Sequence, residues 1–246
     1  MAGTIRIGIG GWTFKPWRGT FYPADLAQKR ELEFASRALT SIEINGTYYS
    51  SFKPDTWRKW RDETPDDFVF AVKASRYCTN RRVLADAGES IGRFLAQGLT
   101  QLGGKLGPIN WQFMAGKKFE PEDFGAFLSL LPKEKGGLAL RHAIEVRSPT
   151  FQTPAAYALA ARNGVAIVCA TGEGVPEIDQ PTAGFSYARL MTTRNDLDSG
   201  IAGPELAGVA RRIRAWAKRG DVFAYFIAGA KVRNPAAAQA LIRTLG

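Results

Sequence analysis

Residues 41–45 read Ser-Ile-Glu-Ile-Asn, and this short stretch decides between the two folds that the sequence allows. Its β-branched residues predict a strand over Ser41–Ile44, in which polar and apolar side chains alternate. Because residues i and i+2 of a strand point to one face, Glu43 and Asn45 share a face and the isoleucines share the other. A strand between two layers of helices is apolar on both faces, so a charged face indicates a different environment.

Seven more stretches of the chain have strand character, and helical patterns separate them. The predicted strands are Ile5–Ile9, Ser41–Ile44, Phe68–Lys73, Pro108–Phe113, His142–Arg147, Val165–Cys169, Phe185–Leu190 and Asp221–Ile227. The predicted helices are Asp25–Leu39, Pro54–Glu63, Glu89–Leu102, Pro121–Leu131, Pro154–Arg162, Pro204–Lys218 and Pro235–Leu245. This alternation predicts an α/β protein with a parallel sheet. No linker or low-complexity tract interrupts residues 1–246, which favours a single domain.

The polar alternation recurs in four other predicted strands. Its members are Lys73 in the third strand, Asn110 and Gln112 in the fourth, Glu145 and Arg147 in the fifth, and Tyr187 and Arg189 in the seventh. In a barrel of parallel strands all of these faces meet in the interior, while helices cover the apolar faces. The pattern therefore predicts a (β/α)8, TIM-barrel-like fold, with an open doubly wound sheet as the alternative.

Composition limits the chemistry of the chain. It has 246 residues with one histidine and two cysteines, so we predict no multi-histidine or thiolate metal centre, no bound metal and no cofactor. Cysteines that are few and far apart are typical of the reducing cytoplasm, which is the predicted location. No apolar run has the length of a membrane span, and Met1–Ile9 is too polar for a signal peptide, so no membrane partner is expected.

The formal net charge of +10 supports two interpretations. A basic surface attracts nucleic acid and other polyanions. An excess of surface charge also simply keeps a protein in solution, and this interpretation is the better supported one until the charges are placed in the fold.

The polar residues lie near the carboxyl ends of their strands, where barrel enzymes build their active sites. We take Glu43, Lys73 and Glu145 as candidate catalytic residues. The candidate ligand-binding residues are Trp12, Asn45, Tyr48, Arg76, Gln112, Arg147, Tyr187, Arg189, Lys231 and Asn234. The alternative for any one of these charges is a structural ion pair, since buried charges need partners.

Two loops add detail to this prediction. The glycine-rich turn Gly8–Thr13 lets a ligand approach the backbone, but it lacks the third glycine of a dinucleotide fingerprint. The segment Gly229–Pro235 leads into a helix and contributes Lys231, so its backbone amides are a candidate anion site. The alternative is an ordinary helix start that Asn234 caps.

Motifs along nearly the whole chain resemble the YecE-like family. They are Gly10–Thr13, Trp17–Gly19, Phe21–Pro23, Glu43–Tyr49, Thr64–Phe68, Phe70–Lys73, Leu106–Pro108, Glu145–Arg147 and Tyr187–Leu190. The resemblance implies a TIM-barrel-like fold and brings no function, since this is a family of domains of unknown function. Family members commonly have histidine or an acid at three positions occupied here by Asn80, Ser148 and Thr171, which puts acid–base activity in doubt.

Three functions fit these residues. The favoured one is binding or turnover of a phosphorylated or otherwise anionic ligand, as a metal-independent hydrolase, lyase or isomerase if the protein is an enzyme. In it a glutamate acts as base, or Lys73 forms a Schiff base, while the arginines hold the anion. The alternatives are a nucleic-acid-binding protein with a basic rim around the barrel mouth, and a glycosidase that uses Glu43 and Glu145. The sequence leaves the oligomeric state open.

Overall fold

The computed structural model describes residues 2–246 and consists of parallel strands with helices between them. The strands are β1 (Ile5–Gly10), β2 (Ser41–Ile44), β3 (Val69–Lys73), β4 (Leu106–Gln112), β5 (Glu134–Lys135), β6 (Leu138–Ala139), β7 (His142–Glu145), β8 (Ala166–Ile167), β9 (Cys169–Thr171), β10 (Phe185–Leu190) and β11 (Asp221–Phe226). The α-helices are α1 (Glu31–Ala38), α2 (Pro54–Asp62), α3 (Arg76–Thr79), α4 (Gly88–Ala96), α5 (Pro121–Ser129), α6 (Pro154–Arg162), α7 (Gly203–Ala217) and α8 (Asn234–Leu245).

Nine of the strands form a single parallel sheet that curls into a nearly closed barrel. Their order is β8-β7-β4-β3-β2-β1-β11-β10-β9. The strands at the two ends of this order, β8 and β9, are consecutive in the chain, and only Val168 separates them. Together they occupy the position of the sixth predicted strand, so the predicted TIM-barrel-like fold is confirmed. The remaining strands, β5 and β6, pair as a short antiparallel hairpin outside the barrel.

The two faces of the strands contribute to two separate apolar clusters. The smaller cluster fills the barrel interior and includes Ala71, Ala143, Val168, Tyr187 and Tyr225. The larger cluster lies between the strands and the helices and holds the opposite faces, including the isoleucines of β2. The polar face of β2 therefore lies inside the barrel, as the alternation predicts.

Two predicted helices are shorter than their sequence patterns indicate. Helix α1 starts at Glu31, because a 3-10 turn over Gln28–Arg30 precedes it. Helix α4 ends at Ala96, because Gly98 adopts a left-handed conformation with φ of 103°. A Cβ at Gly98 would lie 3.0 Å from Cα of Pro54, so the chain turns here into a second 3-10 segment. None of the helices in residues 2–246 has the length and hydropathy that a membrane span requires.

Candidate functional site

Arg189 lies at the centre of a buried ion network near the carboxyl ends of the strands. Its Nη1 is 2.6 Å from Oε2 of Glu145, and its Nη2 is 3.1 Å from Oε1 of Glu43. The arginine side chain is 3% exposed and both carboxylates are fully buried. The three groups come from β10, β7 and β2, so the ion pairs cross the interior of the barrel. A guanidinium suits this position because its planar donors reach two acceptors at once.

Two further side chains, Asn110 and Tyr187, donate hydrogen bonds to the carboxylates. Nδ2 of Asn110 donates to both glutamates, at 3.2 Å from each acceptor oxygen, and the hydroxyl of Tyr187 donates to Glu43. Burial alone would raise the pKa of Glu145, but the guanidiniums of Arg189 and Arg147 hold it below its ordinary value. The glutamate therefore stays ionised in a fully buried position.

Arg147 and Gln112 lie above this network, toward the barrel mouth. Nη2 of Arg147 is 2.5 Å from Oε1 of Glu145, and this side chain keeps 21% of its surface exposed. Oε1 of Gln112 accepts hydrogen bonds from Arg189 at 3.1 Å and from Arg147 at 3.4 Å. Within residues 2–246, Nε of Arg147 has no acceptor. The arginine therefore has unused hydrogen-bonding capacity at the edge of the network.

Lys73, the last residue of β3, is a third cation at this end of the barrel. Among residues 2–246, no carboxylate oxygen lies within 4.0 Å of its Nζ. Instead Nζ lies 4.2 Å from the centroid of the Tyr48 ring, and the Tyr48 hydroxyl donates to Asn80 at 3.2 Å. Burial, together with the positive charge of Arg189, lowers the pKa of Lys73 to about 8.

A cavity of about 390 Å³ opens beside this cluster, above the ends of β1 and β2. Its walls include three of the candidate ligand-binding residues, Trp12, Asn45 and Lys231. Tyr49 also lines it and packs edge-on against Tyr48 at 4.9 Å between ring centroids, so the cavity and the Lys73 side chain share an aromatic boundary. The walls are mostly aromatic and apolar, which suits the uncharged part of a small ligand.

The sequence profile of a family described as "Protein of unknown function DUF72" matches residues 6–246. The chain belongs to the DUF72 family. UPF0759 protein YecE of Escherichia coli K12 is 28% identical over 150 residues, which are 60% of this chain and 50% of that protein, so the match spans half the length of the curated relative.

Two solved DUF72 structures have the same fold. A family protein from Thermotoga maritima MSB8 superposes with a TM-score of 0.79 at 19% identity, covering 98% of this chain and 99% of the other. A family protein from Enterococcus faecalis V583 superposes with a TM-score of 0.76 at 15% identity, covering 99% of both chains. At these identities the likeness establishes the TIM-barrel-like fold alone.

Several predicted site residues of this DUF72 chain lie outside the central cluster. Arg76 is exposed, and its guanidinium lies 5.4 Å from the Tyr77 ring centroid. Lys231 lies over the Phe14 ring, at 4.2 Å from the centroid. Asn234 is buried, and its side chain bonds the Thr193 hydroxyl at 2.7 Å.

The loop before Asn234 also uses its own backbone donors. The amide of Ala230 donates to Thr193 O at 2.9 Å, and the amide of Lys231 donates to Gly229 O at 3.0 Å. These two amides therefore have no spare proton for an anion, and Asn234 ties the loop to the preceding one. Lys231 is the residue of this segment that lines the cavity.

The three positions where family members commonly have histidine or an acid have different surroundings. Asn80 accepts the Tyr48 hydroxyl, and the Ser148 hydroxyl caps a short turn by bonding Thr150. The hydroxyl of Thr171 is buried and has no partner among residues 2–246. Within the same residues, no group of three or more His, Cys, Asp and Glu side chains has a metal-binding arrangement.

The sequence reasoning missed Asn110 as a member of the site, although its position in the polar alternation of β4 was visible. It also missed Phe52 and Trp60 as walls of the cavity. Trp57 and Trp60 lie on the buried face of α2, and their spacing in the sequence does not indicate that this face borders a cavity.

Proposed function

We propose that this chain binds a small ligand with a phosphate or carboxylate group at the carboxyl ends of the barrel strands, and that it acts on the ligand there. The observation that carries this proposal is the charge of the mouth. Two carboxylates face three cations, and both carboxylates are already paired with arginines. The positive charge of Lys73 is left without a counterion among residues 2–246, and an anionic ligand would supply one.

The proposal assigns different tasks to the three cations. Lys73 and Arg147 retain exposed surface and contact the anion. Arg189 is committed to the two glutamates, so its task is to hold the network in place beneath the ligand. The uncharged part of the ligand occupies the neighbouring aromatic cavity, where Trp12 and Trp60 pack at 5.1 Å between ring centroids.

Thermal-shift and calorimetric titrations with inorganic phosphate, sugar phosphates and small carboxylates test this function. We expect binding that weakens about tenfold in Lys73→Met and in Arg147→Ala, since each variant removes one charge-assisted contact. Arg211→Ala changes an exposed arginine of α7 and serves as the matched control for net charge. The proposal fails if none of these anions binds, or if Arg211→Ala weakens binding as much as the site variants do.

Binding of single-stranded nucleic acid is the second candidate, and two exposed aromatic side chains favour it. Tyr49 is 68% exposed and Tyr77 is 64% exposed, with the Arg76 guanidinium beside the second ring. Exposed rings next to a cation form a platform on which bases stack. Fluorescence anisotropy with short labelled oligonucleotides would show salt-dependent binding that Tyr77→Ala weakens; no binding at low salt excludes this candidate.

A glycosidase mechanism has the least support. Such an enzyme needs one carboxylic acid that donates a proton and one carboxylate. Here Glu43 and Glu145 share the same guanidinium and the same Asn110 amide, and both are fully buried. The lowered pKa of Glu145 keeps it ionised, so it does not fit the part of the acid.

A further inference from the structure

Lys73 differs from Arg147 and Arg189 because, among residues 2–246, its amine has an aromatic neighbour and no carboxylate partner. The Tyr48 ring covers Nζ at 4.2 Å, and Asn80 holds that ring in place through the Tyr48 hydroxyl. The single proton of the Thr47 hydroxyl is shared between the carbonyls of Lys73 and Ile44, which ties the end of β3 to the loop after β2. These bonds fix the backbone at Lys73 and the ring that its amine contacts.

The absence of an ion pair at Lys73 has a cause in the neighbouring network. Glu43 and Glu145 are the nearest opposite charges, and Arg189, Arg147, Asn110 and Tyr187 occupy them. Burial and the positive charges of Arg189 and Arg147 favour the neutral amine of Lys73, and the two glutamates oppose them. With a pKa of about 8, roughly a quarter of the Lys73 side chains are unprotonated at about pH 7.5.

We propose that Lys73 forms an imine with the carbonyl carbon of an aldehyde or ketone that also carries a phosphate or carboxylate group. This inference rests on the proposed anion-binding function and names the substrate class for it. An unprotonated, desolvated lysine next to other cations is the arrangement that activates this side chain as a nucleophile. The anionic group keeps the carbonyl compound at the mouth by its contact with Arg147.

The step is balanced without an oxidant or a metal. The lone pair of Nζ adds to the carbonyl carbon, and the ammonium proton moves to the carbonyl oxygen to give a carbinolamine. The C–O bond then breaks, the oxygen leaves as water after it takes a proton from solvent at the open mouth, and the second proton of Nζ returns to solvent. One C=N bond and one water molecule are formed, and no atom changes its oxidation state overall.

Borohydride trapping with three matched probes tests the inference. The probes are glyceraldehyde 3-phosphate, glyceraldehyde without the phosphate, and glycerol 3-phosphate without the carbonyl. Peptide mass spectrometry locates the reduced adducts on the intact wild-type chain. We expect glyceraldehyde 3-phosphate to modify Lys73 about tenfold more than any other lysine at about pH 7.5, because the contact of its phosphate with Arg147 holds the aldehyde beside the Lys73 amine. Glyceraldehyde alone should lose this preference.

Lys231 provides an internal comparison in the same experiment. Its Nζ also lies 4.2 Å from an aromatic ring centroid, and partial burial lowers its pKa, but its side chain is more exposed than that of Lys73 and no neighbouring arginine adds to the effect. Equal modification of Lys73 and Lys231, or modification spread evenly over the lysines, overturns the inference. Lys73→Arg keeps the charge and should abolish the adduct, whereas Lys59→Arg changes an exposed lysine of α2 and should leave it.

The two proposals fail in different ways. If glycerol 3-phosphate protects against heat but no adduct forms on Lys73, the chain binds anions and the imine inference is wrong. If the adduct forms equally with and without the phosphate, the amine is reactive and the anion-binding function is wrong. Circular dichroism of each variant shows that it is folded, and the wild-type measurement decides the inference even if Lys73→Arg fails to fold.

Discussion

Arg189 and Lys73 lie at the same end of the barrel, but their surroundings differ in almost every respect. Arg189 is 3% exposed and pairs with two carboxylates, while Lys73 is half-buried and has none among residues 2–246. The β7–β10 side of the mouth is thus closed by ion pairs, and the β1–β3 side borders the cavity.

The different surroundings of Arg189 and Lys73 follow from how many hydrogen-bond acceptors each side chain can reach. The guanidinium of Arg189 has five donors and reaches both buried carboxylates, whereas Nζ of Lys73 lies more than 4.0 Å from either of them. The ion pairs on the β7–β10 side stabilise the barrel interior, while the β1–β3 side keeps the Lys73 amine without an ion pair among residues 2–246. The following changes either remove this difference or measure it, in order of decreasing effect.

Arg189→Met should be the most damaging change at the mouth. It leaves Glu43 and Glu145 buried without their shared cation, and breaking such a pair costs about 3–5 kcal/mol in the free energy of unfolding. Lys73→Met should change stability by no more than about 1 kcal/mol, because a lost cation–π contact is offset by the end of charge burial. Urea unfolding at neutral pH measures the free energy of unfolding of both variants. Equal losses of stability in Arg189→Met and Lys73→Met would contradict the different roles assigned to the two side chains.

Asn110→Ala should lower stability by about 1–3 kcal/mol, since it removes the amide that both buried glutamates use as a donor. Gln112→Ala is the matched change closer to solvent, where water replaces the lost acceptor, and about 0.5–1.5 kcal/mol is expected. Chemical denaturation of the two variants compares the buried layer with the rim. A larger loss at Gln112 would reverse this ranking.

Lys73 also predicts a dependence of stability on pH. Its pKa is about 8 in the folded state and ordinarily 10.5, so between these values the unfolded chain binds more protons. The contribution of Lys73 to the free energy of unfolding therefore increases as pH rises from about 8 to 10.5, and decreases as pH falls through the same range. Burial raises the pKa of Cys78 and Cys169 and acts in the opposite direction, so the difference between wild type and Lys73→Met isolates the lysine. A difference that stays constant from pH 7 to 10.5 would contradict it.

Tyr48→Leu should have the smallest effect, about 0.5–1 kcal/mol, through loss of the ring face that contacts the Lys73 ammonium. Tyr77→Leu is the comparison in solvent: this ring is 64% exposed and lies 5.4 Å from the Arg76 guanidinium, so its loss should change stability by no more than about 0.5 kcal/mol. Thermal unfolding of both variants below pH 7, where Lys73 is charged, gives the comparison. Identical unfolding temperatures for the two variants would show that the Tyr48 ring does not stabilise the Lys73 ammonium.

Much of the fold follows from local pattern. The alternation in residues 41–45 and its repeats predict which faces enter the barrel, and the closed sheet confirms the prediction. The divided sixth strand and the early end of α4 did not follow from pattern. The latter depends on Gly98 against Pro54, a contact between residues far apart in the chain.

The residues of the barrel mouth also divide into features that local pattern predicts and features that depend on contacts between distant residues. The sequence by itself determined which charged residue types stand at the ends of the strands, because the period of a strand fixes the face of each side chain. Only the tertiary structure decided which charged side chains form ion pairs: Arg189 pairs with both glutamates, and Lys73 contacts the Tyr48 ring instead. Pairing depends on distances across the barrel, and those distances exist only once the sheet has closed.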